Sequence, residues 1–159
     1  MKLRTVLFLI IIQTTNIIGQ NIPVVDFNKL EPLLHQKDDK VYIINFWATW
    51  CKPCVKEMPA FNQLHKEYAN KNVQFLLVSL DFGNNVQDRV QTFIETHKLT
   101  PKVIILDDPD GNSWINKVSP NWSGAIPATI IYNKNNRMFY EQSFEFDELE
   151  KELQNFLIK

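Results

Sequence analysis

A mixed α/β fold, with one central sheet and helices on both faces, is predicted by three observations. Apolar runs at Val41–Trp47, residues 73–80 and residues 102–106 alternate with segments of helical spacing, an order that pairs neighbouring strands through crossover helices. Two further runs, 128–132 and 138–144, flank Asn133-Lys134-Asn135-Asn136 and read as a β-hairpin. The final segment returns to helical spacing, with Leu149, Leu153, Phe156 and Leu157 on one side. A length of 159 residues suits one domain with a good core.

Taken in order, residues 22–27 suit a short edge strand. Asn28-x-x-Glu31 resembles a capping box, and Leu30, Leu33 and Leu34 give the turns that follow an apolar stripe. Val41–Trp47 is a β-branched and aromatic run, broken only by Asn45, that suits a strand buried on both faces. Residues 55–69 carry Val55, Met58, Phe61, Leu64 and Tyr68 on one side, with Pro59 placed to kink the helix. After the strand at 73–80, Val86, Val90, Phe93, Ile94 and His97 are spaced as a helix. Asp108-Pro109-Asp110-Gly111 is a turn after the strand at 102–106, and Trp114, Ile115 and Val118 mark a short helix. Asp147-x-x-Glu150 is expected to open the last helix.

The N-terminus is set apart from this pattern. Lys2 and Arg4 precede the apolar run 6–12, and polar residues follow from Gln13. That is the layout of a secretory signal peptide, and the run is short for a membrane span of about 20 residues. The expected division is a signal peptide over 1–20 and one domain over 21–159. An uncleaved N-terminal anchor is the alternative, and either places the domain outside the cytoplasm. The 17 basic and 18 acidic residues give a net charge of −1 with no basic stripe, so no nucleic-acid partner is expected.

The chemistry centres on Cys51-Lys52-Pro53-Cys54, which holds both cysteines of the chain. The pair lies where a strand-like run gives way to a helix-like one. A thiol at a helix N-terminus meets unpaired N–H groups and the positive end of the helix dipole, which favour thiolate. Cys51 is therefore expected to be the attacking thiol and Cys54, a turn further in, the resolving one. Lys52 adds positive charge, and Pro53 suits the start of a helix. A purely structural disulfide is the alternative, but so small a loop removes little chain entropy. No metal is expected, since two cysteines do not fill four zinc positions and His35, His65 and His97 fall in separate segments. No Thr-x-x-Cys pattern points to a peroxidase.

Trp47-Ala48-Thr49-Trp50-Cys51-Lys52-Pro53-Cys54 closely resembles the active-site segment of the thioredoxin superfamily. Pro59 falls where that family kinks its active-site helix, and Ile126-Pro127-Ala128-Thr129 resembles its cis-proline loop. The export signal, Asn45, Glu57 and the additional helix–strand segment over 86–106 narrow the likeness to the exported TlpA/ResA-like branch. The resemblance implies a thioredoxin-like fold with an extra helix–strand insertion. It implies a cis bond before Pro127, facing the dithiol and leaving the Ile126 backbone open to an extended substrate strand. It also implies that Glu57 lies beside the dithiol, where burial would raise its pKa and suit it to take a proton from Cys54. A solvated helix glutamate is the alternative. Asn45 stands where cytoplasmic thioredoxins carry a buried aspartate. Trp50 is expected at the substrate-contact surface, Trp47 in the core or beside the loop, and Trp122 at the groove edge. Where many relatives have a β-hairpin before the active-site strand, residues 22–39 suit a strand and helix.

The function expected is a thiol–disulfide oxidoreductase of exported proteins, working as a reductase through Cys51 and Cys54. Trp50, Lys52, Pro53, Ile126 and Pro127 are its expected substrate contacts. No cofactor beyond the Cys51–Cys54 couple is called for. The partners implied are disulfide-containing exported proteins, apocytochrome c among them, and a membrane protein that returns electrons. The alternatives are a disulfide oxidase or isomerase, or a client-binding module without catalysis.

Overall fold

The computed structural model describes residues 21–157. The expected signal peptide lies outside the described residues. Six strands form one sheet in the order β1 (Val24–Val25), β4 (Lys102–Leu106), β3 (Val73–Ser79), β2 (Val41–Trp47), β5 (Ala128–Tyr132) and β6 (Arg137–Tyr140). The first four strands in that order pair in parallel, whereas β5 runs antiparallel to β2 and β6 antiparallel to β5. The expected α/β class and mixed sheet are both present.

Helices α2 (Lys52–Tyr68), α3 (Val86–His97) and α5 (Phe146–Leu157) pack on one face. On the other lie α1 (Phe27–Leu30), a 3-10 turn at Glu31–Leu34 and α4 (Gly111–Val118). Strand residues alternate between the two cores, as side-chain period two demands. Ile43 and Trp47 of β2 meet α2, while Ile44 and Phe46 meet the α1 and α4 side. Asn45 shares the α2 face with Ile43 and Trp47 by that alternation, a polar residue set into an apolar layer.

Three local readings are corrected. The cap of α1 is Asp26, whose carboxylate accepts from the Lys29 N–H at 3.0 Å, so Asn28 lies inside the helix. At α5 it is Glu148 that reaches back, to the Glu145 N–H at 3.2 Å, and Asp147 and Glu150 lie within the helix. Strand β6 stops at Tyr140, short of the expected 144. The next residues turn instead to bring the Phe144 N–H under α2. Residues 22–34 form a short strand and helical turns, as expected, with no hairpin among them.

Candidate active site

Helix α2 begins at the dithiol. Cys51 is its N-cap, in extended conformation, and its Sγ accepts from the Cys54 N–H at 3.3 Å. Pro53 falls in the first turn, where a missing N–H costs nothing. Cys51 and Cys54 are joined as a disulfide with Cα atoms 5.3 Å apart, and both are buried. The helix thus starts one residue after Cys51, which sets that sulfur at the terminus where unpaired N–H groups converge.

The Ile126–Pro127 bond is cis. The Ile126 carbonyl oxygen lies 3.6 Å from Cys51 Sγ, so the loop before β5 does face the dithiol. That loop is held from two directions. The Trp122 indole donates to the Ala125 carbonyl at 2.7 Å, and the Glu141 carboxylate accepts from the Ala125 N–H at 3.2 Å and the Ser123 N–H at 3.1 Å. Trp122 is buried against Phe46 and Trp114, so it anchors the loop rather than edging a groove.

Glu57 is not solvated. It is 2 % exposed, one helical turn beyond Cys54. Its Oε1 accepts from Asn45 Nδ2 at 2.8 Å and its Oε2 from the Phe144 N–H at 3.0 Å. Burial pushes its carboxyl up to about 7, against the pull of those two donors. Asn45 Nδ2 also reaches Thr129 Oγ1 on the paired strand β5 at 3.1 Å. Lys56, next to Glu57 in sequence, meets Glu145 at the surface at 2.9 Å.

Trp50 is 58 % exposed beside the dithiol, whereas Trp47 is fully buried against Phe93. Lys52 is also exposed. Phe82, 73 % exposed, meets Trp50 edge-on with centroids 6.4 Å apart. Sequence reasoning passed over this phenylalanine, and over Asp81 before it. Asp81 accepts from the Thr49 N–H at 2.8 Å, the Thr49 hydroxyl at 2.5 Å and the Ser79 hydroxyl at 2.8 Å. Arg89 of α3 closes the cluster, donating to Asp81 at 3.3 Å and to the Phe82 carbonyl at 2.8 Å. The available signal was a carboxylate just past a buried strand, opposite the one hydroxyl residue of an aromatic loop.

His35, His65 and His97 lie apart; His65 meets Thr100 and His97 stacks on Phe93. Among the described residues no group of three or more His, Cys, Asp or Glu is placed to hold a metal ion.

A dithiol at a helix N-terminus, a cis-proline loop across from it and a mixed sheet beneath define a thioredoxin-like exchange protein. The chain belongs to the AhpC/TSA family, whose model matches residues 19–140, and within the thioredoxin superfamily it is ResA-like. It is 32% identical over 130 residues to the thiol-disulfide oxidoreductase ResA of Geobacillus thermodenitrificans, covering 79% of this chain and 69% of that one. It is 40% identical over 72 residues to the thioredoxin-like protein YneN of Bacillus subtilis, but spans only 42% of that relative and 45% of itself in doing so. The secreted thiol-disulfide isomerase of Corynebacterium glutamicum has the same fold, with a TM-score of 0.63 at 21% identity over 76% of this chain and 72% of that one.

Proposed function

We propose that the chain is an extracytoplasmic thiol–disulfide oxidoreductase acting as a reductase of protein disulfides. The observation that carries this reading is the placement of Cys51 as N-cap of α2, with a buried, proton-binding Glu57 one turn beyond Cys54.

In the reduced protein, the Cys51 thiolate attacks a substrate disulfide. A Cys51–substrate disulfide forms and the first substrate sulfur leaves as thiolate. Cys54 then gives its proton to Glu57 and attacks Cys51 Sγ, forming the intramolecular disulfide and releasing the second substrate sulfur. Two electrons pass from the dithiol to the substrate. The Glu57 proton leaves to the released thiolate or to solvent. A dithiol protein must then reduce Cys51–Cys54 again; outside the cytoplasm its electrons come across the membrane. Trp50, Lys52, Pro53, Ile126 and Pro127 are the proposed substrate contacts, with the Ile126 backbone pairing to an extended segment.

The resemblance suggests apocytochrome c cysteines and other exported disulfides as substrates. Export rests on the basic and apolar residues 2–12; no helix among the described residues is long and apolar enough to cross a membrane. Cys54→Ser should trap mixed disulfides with the physiological substrate, and Cys51→Ser should abolish turnover. A client-binding module would keep its binding in Cys51→Ser. A reduction potential above about −150 mV, that of a strong oxidant, would overturn the reductase direction.

A further inference from the structure

A buried carboxyl needs different neighbours in its two states: the carboxylate only accepts hydrogen bonds, whereas the neutral acid must also donate one. The Phe144 N–H, 3.0 Å from Glu57 Oε2, can only donate. The other neighbour, 2.8 Å from Oε1, is the Asn45 side-chain amide. Of the two hydrogen-bond partners of Glu57 among the described residues, only the Asn45 amide can receive an acid proton, and it must then offer its oxygen.

The amide now offers its nitrogen. Asn45 Nδ2 faces both Glu57 Oε1 and Thr129 Oγ1, and Asn45 Oδ1 is buried with no hydrogen-bond partner among the described residues. That orientation suits the carboxylate. Half a turn about χ2 exchanges two atoms of nearly equal size. Oδ1 then accepts from the acid proton on Oε1 and from the Thr129 hydroxyl, while Nδ2 takes the unpartnered position. The turned-over amide strands its N–H groups instead of its oxygen, a larger cost that the two hydrogen bonds to Oδ1 must offset.

We propose that Asn45 is a positioning residue whose side-chain amide turns over as Glu57 gains and loses its proton, keeping that carboxyl hydrogen-bonded in both states. This rests on the reading of Glu57 as proton acceptor for Cys54. The proton that leaves the Cys54 thiol is received at Oε1 and held there by Oδ1; its departure lets the amide turn back. Aspartate at 45 would set a second carboxylate against the first, and leucine would offer neither donor nor acceptor. Glu57 is hydrogen-bonded by Asn45 on β2 and by the Phe144 N–H before α5, and Thr129 on β5 reaches it only through Asn45. The charges nearest in sequence, Lys56 and Glu145, pair with each other at the surface. The midpoint near 7 leaves both protonation states populated at neutral pH.

Neutron diffraction from crystals of the oxidised protein, grown well below and well above pD 7, distinguishes the two orientations directly. At high pD the ND2 group should face Glu57 and Thr129. At low pD the oxygen should stand there, opposite a deuteron on Glu57 Oε1. One orientation at both values, or a deuteron on Oε2, overturns the inference. Glu57→Gln gives a second reading. Its Oε1 must accept from the Phe144 N–H, so its Nε2 faces Asn45 and holds the amide in the low-pH orientation. The Asn45 side-chain amide NMR signals should then titrate in the wild type and stay fixed near their low-pH positions in Glu57→Gln. Signals that titrate alike in both proteins would also overturn it. These measurements need no turnover, so a wild type that fails to reduce disulfides would sink the proposed function and leave the Asn45 result standing.

Discussion

Two carboxylates lie buried near the dithiol, and their surroundings differ. Asp81 and Glu57 are each 2 % exposed. Asp81 accepts from a backbone N–H, two hydroxyls and the Arg89 guanidinium. Glu57 accepts from two neutral amides, with no charged partner. A carboxylate whose oxygens are taken up by several donors, one of them a guanidinium, becomes part of the framework. One with few donors and no counter-charge is driven toward its acid form and becomes available for proton transfer. Burial is equal in the two; the count and charge of the donors separate the Asp81 strut from the carboxyl proposed as proton acceptor.

The contrast breaks most severely at Asp81. Asp81→Ala strands the Thr49 N–H and removes the partner of Arg89, at a cost of roughly 3 kcal/mol in stability. Urea unfolding measures this; a loss under about 1 kcal/mol would mean that Asp81 is no strut.

Glu57 should act through pH rather than through bulk stability. Its folded pKa, about 7, lies above the ordinary value of 4.5. The folded state therefore binds the proton more tightly than the unfolded chain. The resulting stability is complete below pH 4.5 and is lost as pH rises through about 7. The loss is on the order of 3 kcal/mol, at about 1.4 kcal/mol per pKa unit. Subtracting the Glu57→Gln profile from that of the wild type, both oxidised, should isolate this slope. A difference flat across that range would remove the raised pKa from the argument.

The order of strands and helices along the chain and the dithiol setting were legible because strand and helix periods are local. Val41–Trp47, Lys102–Leu106 and Ala128–Tyr132 needed only their own apolar residues to declare them. That Glu57 lies beside the dithiol was an expectation from resemblance alone, and its contact with Asn45 was not read, since 12 residues and a change of element separate them. Phe144 as a donor was not legible: only its position at the end of the turn after β6 brings its N–H to Glu57 across 87 residues. The Asp81 strut failed to show for the same reason, because Thr49 and Arg89 reach it from two other elements. Capping was misread at α1 and α5 because several acidic or amide residues compete within one turn, and the backbone entering the helix decides among them.

A smaller effect is expected where the strut meets the active-site loop. Thr49→Val keeps the backbone N–H bond to Asp81 and removes only the hydroxyl bond, so about 1 kcal/mol of stability should be lost. Melting curves of the oxidised protein would show it, and an unchanged transition would place the strut wholly in the backbone contact.

The smallest change in stability, and the most selective change in function, belongs to Phe82. Its ring is exposed, so Phe82→Ser should shift stability by no more than about 0.5 kcal/mol. Yet Asp81 and Arg89 hold its backbone beside the Cys51 loop, and its ring meets Trp50 edge-on. An apolar ring kept in water against Trp50, the residue before Cys51, offers a contact for a bulky protein substrate and little for a small one. KM for a protein disulfide should therefore rise several-fold, while kcat and the rate with a small aromatic disulfide stay within about twofold. Equal losses on both substrates would show that Phe82 supports the loop itself, and the strut would then extend to the surface.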